Sequence, residues 1–410
     1  MEIGSSISTL MSLLGKEWSS LMLKSQTLKK NLNTTRKELS QILYQQEAAC
    51  RVIGKLIKER DQAKEELKKV KETLREGSEI DEELKAEFTN LSDTLASART
   101  SRKPPADLTH EDSIAEFKET ASINVHSAAI TSLTIAQSNP NLILTGGEDC
   151  FARLCDMEEK EVVVNFEHKK KVTAVDLMNN SLNSITCSAD GLAHVWKVTS
   201  EYAADPFYTV TNHAASITSC SAHPYDNYCV FFSKDGKWSL HDVVKTGLVQ
   251  AIGVKNLIPI TTGKVHPDGL IVTTGLKNGT VILWDIRHQT PTHEFKLHKG
   301  TVKRIDFSEK GYQMLTLGKG EAGVRLWDLR KISKEEPVLV KSNDVEIKGT
   351  VFDQYGIYFG MCGETVEIYK VKKANKVTEI GKGNYTDLKF GPKNSYIVVG
   401  TNNGELKIFN

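Results

Sequence analysis

The stretch Lys277-Asn278-Gly279-Thr280-Val281-Ile282-Leu283-Trp284-Asp285-Ile286 decides the fold. Asn-Gly is a turn dipeptide because both residues tolerate positive φ, and the β-branched and apolar run behind it suits a short buried strand. Moving outward in both directions, the same strand ending returns as RLCDM, HVWKV, SLHDV, RLWDL, EIYKV and KIF. These endings align at Cys155, Trp196, His241, Trp284, Trp327, Tyr369 and Phe409, at intervals of 40 to 45 residues. Self-similarity at that period marks an array of supersecondary units that bury their faces against one another. Ala189-Asp190-Gly191 and Lys234-Asp235-Gly236 repeat the turn in two further units.

Two units carry the Trp-Asp pair itself, Trp284-Asp285 and Trp327-Asp328. Seven such units resemble the WD-repeat β-propellers. The resemblance implies four antiparallel strands per unit, with the Asp/Asn-Gly step supplying the positive-φ residues of a two-residue hairpin turn. The expected fold is an all-β seven-bladed WD-repeat propeller over 113–410, preceded by an α-helical coiled-coil arm. The last repeat reaches Phe409-Asn410 after its third strand, so an upstream segment should complete that blade. Ile114 to Ile123 has strand character and is expected to pair beside Lys407-Phe409. His126, His168, His213 and His298 open several units where the WD-repeat family places a structural histidine bonded to the turn Asp and a strand Ser or Thr. The turn Gly318 to Gly323 has no Asp.

The first quarter of the chain has a different make-up, dense in Lys, Glu, Leu and Gln, which lose little rotamer freedom in a helix. Ile7, Leu10, Met11, Leu14, Trp18, Leu21 and Met22 recur at helical spacing and give an N-terminal amphipathic helix over 1–24. Over 25–76 the repeat is heptad. Leu28, Thr35, Ile42, Ala49, Leu56, Ala63 and Val70 fall at d, and Leu32, Leu39, Gln46, Ile53, Arg60, Leu67 and Leu74 at a. Eleven of those fourteen positions are apolar, a seam one helix cannot bury by itself, so 25–76 is expected to be a coiled-coil oligomerisation helix. Gln46 and Arg60 would fix register at a cost in stability. Ile80, Leu84, Phe88, Leu91 and Leu95 give a short acidic helix within 77–96, and 97–112, with Pro104-Pro105, is expected to be a linker.

With 53 Lys+Arg against 52 Asp+Glu the net charge is +1, which argues against a whole-chain nucleic-acid or membrane footprint. No apolar run approaches the ~18 residues of a membrane span, so no membrane association is expected. The seven cysteines lack the spacing of a disulfide framework or zinc knuckle and suit a reducing compartment. Cys150, in a turn, and Cys155, in a strand, are expected to be core thiols. A zinc pair, nucleophile elbow, phosphate loop and HExxH helix are all absent from the sequence, and no catalytic residue, metal or cofactor is expected.

In such a propeller the loops joining strand d to the next strand a emerge on the same face as those joining b to c. In this sequence they carry Lys169, Lys170, Lys171, Lys234, Lys277, Lys299, Lys303, Lys319 and Lys382, with Arg304 following. One positive face is expected, opposed by acidic loops such as Asp156 to Glu161. It would take an acidic peptide or RNA backbone, with salt-sensitive affinity.

The arm is similar to the pre-mRNA-processing factor 19 family in Glu17-Trp18, Leu28, Thr34-Thr35-Arg36, Glu38-Leu39-Ser40, Leu43-Tyr44-Gln45 and Ala48-Ala49-Cys50-Arg51-Val52-Ile53. Leu142 to Gly147, His266 to Ile271 and Val324 to Lys331 resemble its propeller. The resemblance implies a nuclear, homotetrameric scaffold among spliceosomal complex proteins, and also ubiquitin ligase and DNA-repair roles. Family ligase activity resides in an N-terminal U-box that these 410 residues do not show, so a ubiquitin-conjugating enzyme is an expected partner only of a longer form. The alternative is a cytosolic signalling adaptor resembling a G-protein β subunit, which joins one short helix to seven blades and lacks six heptads.

Overall fold

The computed structural model describes residues 10–37, 39, 60, 82–101, 117–179, 183–198, 204–288, 290–296, 298–321, 323–331, 337–341, 346–372 and 374–410. The chain divides into two compact units, Met1–Thr73 and Leu74–Asn410.

In the first unit residues 10–37 form helix α1. Its apolar side chains face solvent, Leu14, Trp18, Leu21 and Leu28 each being more than 60% exposed. Of the expected seam, Leu28, Leu32 and Leu39 are described, helical and exposed. Ile42, Ala49, Ile53, Leu56, Ala63, Leu67, Val70 and Leu74 lie outside the described residues.

In the second unit the described strands form seven four-stranded antiparallel sheets, the seven blades of a WD-repeat propeller. Six are sequential: blade 1 over 130–167, blade 2 over 172–210, blade 3 over 217–253, blade 4 over 260–296, blade 5 over 302–341 and blade 6 over 349–380. Strands a to d run from the axis outward. Blade 7 takes three strands from 385–409 and its outer one from Glu119–Asn124, which pairs antiparallel with Glu405–Phe409. The ring is thus fastened by the segment expected to do so, although Ile114 lies outside the described residues. Middle strands such as Leu142–Gly147 and Tyr228–Ser233 are buried throughout, because they are sandwiched within a blade and between blades.

Two devices hold neighbouring blades together. A bulge follows the first residue of most a strands, and there Thr131 Oγ1 lies 3.0 Å from Gly146 O in its own blade and 2.9 Å from Val172 O in the next. Thr173, Thr218 and Thr261 repeat this contact around the ring. Farther along, Asp176 Oδ2 accepts from Ala222 N at 2.9 Å, Asp306 Oδ2 from Phe352 N at 2.8 Å and Asp387 Oδ2 from Leu133 N at 3.1 Å. A carboxylate accepting a backbone N–H is a charge-assisted bond, stronger than its neutral counterpart.

The turns differ from expectation. Gly191, Gly236, Gly279 and Gly404 have φ between 79° and 90°, but the Asp or Asn before each does not turn positive. Gly191 N donates back to Ser188 O and Ser188 N to Leu192 O, so a one-turn step with a single left-handed glycine replaces the two-residue primed turn.

A second helix, α2, covers Glu82–Ser101. It continues into the 97–112 stretch expected to be linker, because Ala96 to Ser101 contains no helix breaker and the first proline is Pro104. Its apolar side is buried against blades 3 and 4. Phe88, 1% exposed, joins the cluster of Tyr228, Trp238, Val265 and Trp284, with its ring 5.0 Å from Tyr228 and 5.7 Å from His223. Leu84 packs on the same cluster, and Arg287 Nη1 donates to Thr89 Oγ1 at 3.2 Å. Burying such a phenylalanine is worth about 1.5–3 kcal/mol.

Candidate docking faces of the propeller

The d–a and b–c loops emerge together on one face. Histidines beneath them bond to turn or strand residues. His126 bonds Asp149 at 2.9 Å and Thr145 at 3.0 Å, and His213 bonds Asp235 at 3.0 Å and Ser239 at 2.8 Å. His168 bonds Thr186, which also takes the Trp196 indole N–H. In blade 5 the missing turn aspartate is replaced by Glu321, whose Oε2 lies 2.9 Å from His298 Nδ1. All four histidines are buried, but only His126 and His213 make both expected contacts; His168 reaches only the strand threonine and His298 only the turn carboxylate.

These networks set protonation. Burial alone would raise the Asp149 carboxyl, but hydrogen bonds from Arg153 and His126 outweigh it and hold the group at about 2. Burial pushes His168 down to about 4, with His194 adding to the effect, and His241 down to about 3, with His213 adding. The His168 and His241 imidazoles are therefore neutral at pH 7. Burial likewise pushes the Cys155 thiol up to about 12, making it an inert core group.

Lys169, Lys170, Lys171, Lys234, Lys277, Lys299, Lys319 and Lys382 are all exposed on loops of this face. Lys171 pairs with Glu148 at 2.8 Å. Lys303 and Arg304 do not belong with them. They lie in the inner strand of blade 5, Val302–Phe307, and are half-buried. Lys303 occupies the bulge position that is threonine in blades 1 to 4, and its Nζ reaches the next blade at Ile347 O, 3.2 Å, and Glu346, 3.3 Å. Arg304 lines the axial channel, with Nη2 donating to Thr131 O at 3.0 Å and lying 3.6 Å from Asp387. Both charges are engaged in joining blades because a strands face the axis.

The opposite face opens into a cavity of about 470 Å³, with Leu95 of α2 at its rim and Asp176, Lys264, Asp306 and Lys389 in its wall. Burial would lower the Lys264 ammonium, but Asp176, 4.0 Å away, and Asp306 outweigh it and raise it. With their backbone acceptor roles, these carboxylates form a compensated lining rather than a reactive one. The acidic turn Asp156 to Glu161 lies on this side, at the outer edge of blade 1. Among the described residues no group of three His, Cys, Asp or Glu side chains could hold a metal ion, and no helix is long and apolar enough to cross a membrane.

Sequence reasoning placed the lysine loops but missed the docking of α2. The spacing of Leu84, Phe88 and Leu95 revealed an apolar face, and nothing in it named the propeller as its cover.

Residues 4–70 match the Prp19/Pso4-like family, and 117–156 and 160–197 match the WD domain, G-beta repeat. The chain is 32% identical over 448 residues to pre-mRNA-processing factor 19 homolog 2 of Arabidopsis thaliana, covering 98% of this chain and 84% of that one. It is 31% identical to pre-mRNA-processing factor 19 of Caenorhabditis elegans, covering 99% and 86%, and 30% identical to that of Homo sapiens, covering 96% and 84%. These likenesses do not favour the signalling-adaptor alternative. They run through both the arm and the propeller, and the chain therefore belongs to the pre-mRNA-processing factor 19 family.

Proposed function

We propose that the protein is an oligomeric scaffold of a nuclear pre-mRNA-splicing complex. The arm, 25–76, assembles a homotetramer along the seam from Leu28 to Leu74, and the propellers dock acidic segments of spliceosomal proteins on their lysine faces. The observation that carries this reading is likeness to factor 19 proteins along nearly the whole chain, arm and blades together. The lysine face supports it, since clustered like charges raise the local potential and favour an anionic partner. Its described d–a and b–c loops contain no Phe, Tyr or Trp, which disfavours stacking of single-stranded bases and leaves RNA only backbone contacts. Ubiquitin ligase activity would reach this protein only through a U-box in a longer form. The purified 410-residue chain, supplied with activating and conjugating enzymes, is expected to build no ubiquitin chains.

The test is affinity purification of the full chain from nuclear extract with identification of what accompanies it, beside the variant Lys170→Glu/Lys234→Glu/Lys277→Glu. Splicing proteins should accompany the wild type and be lost from the variant, whose oligomer stays intact. Recovery of no splicing protein by the wild type would overturn the scaffold reading, and equal recovery by both would remove the lysine face from it.

A further inference from the structure

On the lysine face, between the outer strand of blade 3, Gly247–Gly253, and the inner strand of blade 4, Ile260–Val265, the chain makes a single tight turn, Lys255–Leu257. Two consecutive non-glycine residues there lie in the left-handed region, Asn256 with φ 61° and Leu257 with φ 48°. Asparagine tolerates this conformation, but leucine does so only against its Cβ. Such strain persists where surrounding structure over-determines it, and it gathers at ligand contacts.

The surroundings are specific. Gly236, at φ 79°, packs so closely that a Cβ there would meet Leu257 backbone atoms at 2.6 to 2.7 Å. Leu257 N donates to Val254 O at 2.9 Å and Lys277 N to Pro259 O at 3.0 Å. The loop is therefore clamped between the b–c turns of blades 3 and 4, and it holds the Leu257 side chain outward, 41% exposed. On the opposite face Lys393 and Asn394 form a similar left-handed pair, φ 54° and 57°, but that pair buries Asn394, whose Nδ2 donates to Asp353 at 3.1 Å. The interior contact that accompanies the strain at Asn394 has no counterpart at Leu257.

Charge surrounds this apolar knob. Lys234 and Lys277 belong to the clamping turns and Lys255 to the loop itself; all three are exposed, and none makes an ion pair among the described residues. Asp235, in the first of those turns, is engaged by His213 and by the N–H groups of Ala214 and Lys237. We propose that Leu257 is the apolar anchor of a binding site for an acidic protein segment bearing a bulky apolar residue. Lys234, Lys255 and Lys277 take the carboxylates around it. This rests on the reading of the lysine face as a docking surface and narrows it to blades 3 and 4. Lysines alone attract any polyanion and lose it to salt, whereas an apolar contact sheltered by their methylene stems selects among acidic segments and resists screening.

The test uses the purified full chain and two fluorescent twelve-residue peptides of Glu and Asp, identical except for a central Leu or Ser, with a single-stranded RNA of equal charge as a third probe. At physiological salt the Leu peptide should bind about five-fold or more tightly than the Ser peptide. Leu257→Ser should erase that preference, and Lys234→Glu/Lys277→Glu should abolish both. Leu257→Gly, which suits the positive φ, should lose the preference while its melting temperature stays level or rises, separating loss of the anchor from loss of the fold. Equal binding of the two peptides, still dependent on the lysines, would overturn the anchor and leave the lysine face standing. Binding of RNA alone, or of neither peptide, would overturn both.

Discussion

Helices α1 and α2 carry apolar residues at the same helical spacing, yet their fates differ. In α2 Leu84 and Phe88 pack against blades 3 and 4 of the same chain, and Leu95 is half-buried at the rim of the cavity. In α1 the stripe from Leu10 through Leu32 is exposed. Exposure on that scale is costly in water unless a partner covers it. Periodicity thus shows that a helix has an apolar face, and only the surroundings show whether its partner lies within the chain or outside it. The proposed coiled coil would supply that cover for the arm, whereas α2 finds its cover on the propeller.

The largest effect should come from breaking the arm's side of this contrast. Ile53→Asp/Leu56→Asp would place two charges in the proposed seam, where an unpaired buried charge outweighs the packing of several heptads. Sedimentation should show the assembly falling to single chains while the propeller's thermal transition is unchanged; an unaltered assembly would refute the seam. On the other side, Phe88→Ala should cost the propeller unit about 3–5 kcal/mol, read from denaturant unfolding, with oligomer mass preserved. Trp18→Ala, equally drastic in size but on the exposed stripe, should leave that transition in place.

Acidification separates the regions without mutation. Residues 1–76 contain no histidine, whereas burial lowers His168 to about 4 and His241 to about 3 from an ordinary value of 6.5. The unfolded chain therefore takes up protons below about pH 6.5 that the folded propeller refuses. The stability these two groups contribute is fully present above about pH 6.5 and declines as pH falls through 4 toward 3. Urea midpoints at pH 7 and pH 5 should differ for the propeller and coincide for arm helicity. The smallest expected effect lies in the blade-to-blade contacts. Thr173→Val, which removes the hydroxyl between Cys187 O and Ile217 O, should cost about 1 kcal/mol. Lys303→Thr, restoring the residue found at that position in blades 1 to 4, should cost less.

Much of the propeller was legible in the sequence because its signals are local. The strand endings from Cys155 to Phe409 recur at intervals of 40 to 45 residues, and the closing strand expected within Ile114 to Ile123 is found at Glu119–Asn124. Substituted devices were harder to read. Glu321 stands in for an aspartate, and Lys303 for a bulge threonine, so a loop lysine in sequence proved to be an inter-blade donor. The conformation of Asn256-Leu257 had no signature at all, since nothing in that dipeptide demands positive φ. It arises from the clamp of Gly236 and Lys277, residues brought there by the ring.

The contrast between the two helices is tested most directly by amide hydrogen exchange of the full chain across a dilution series. Protection in the arm should fall as the assembly dissociates, while protection over Glu82–Ser101 stays constant because its partner is never diluted away. Arm protection independent of concentration, or α2 protection that falls with it, would contradict this account.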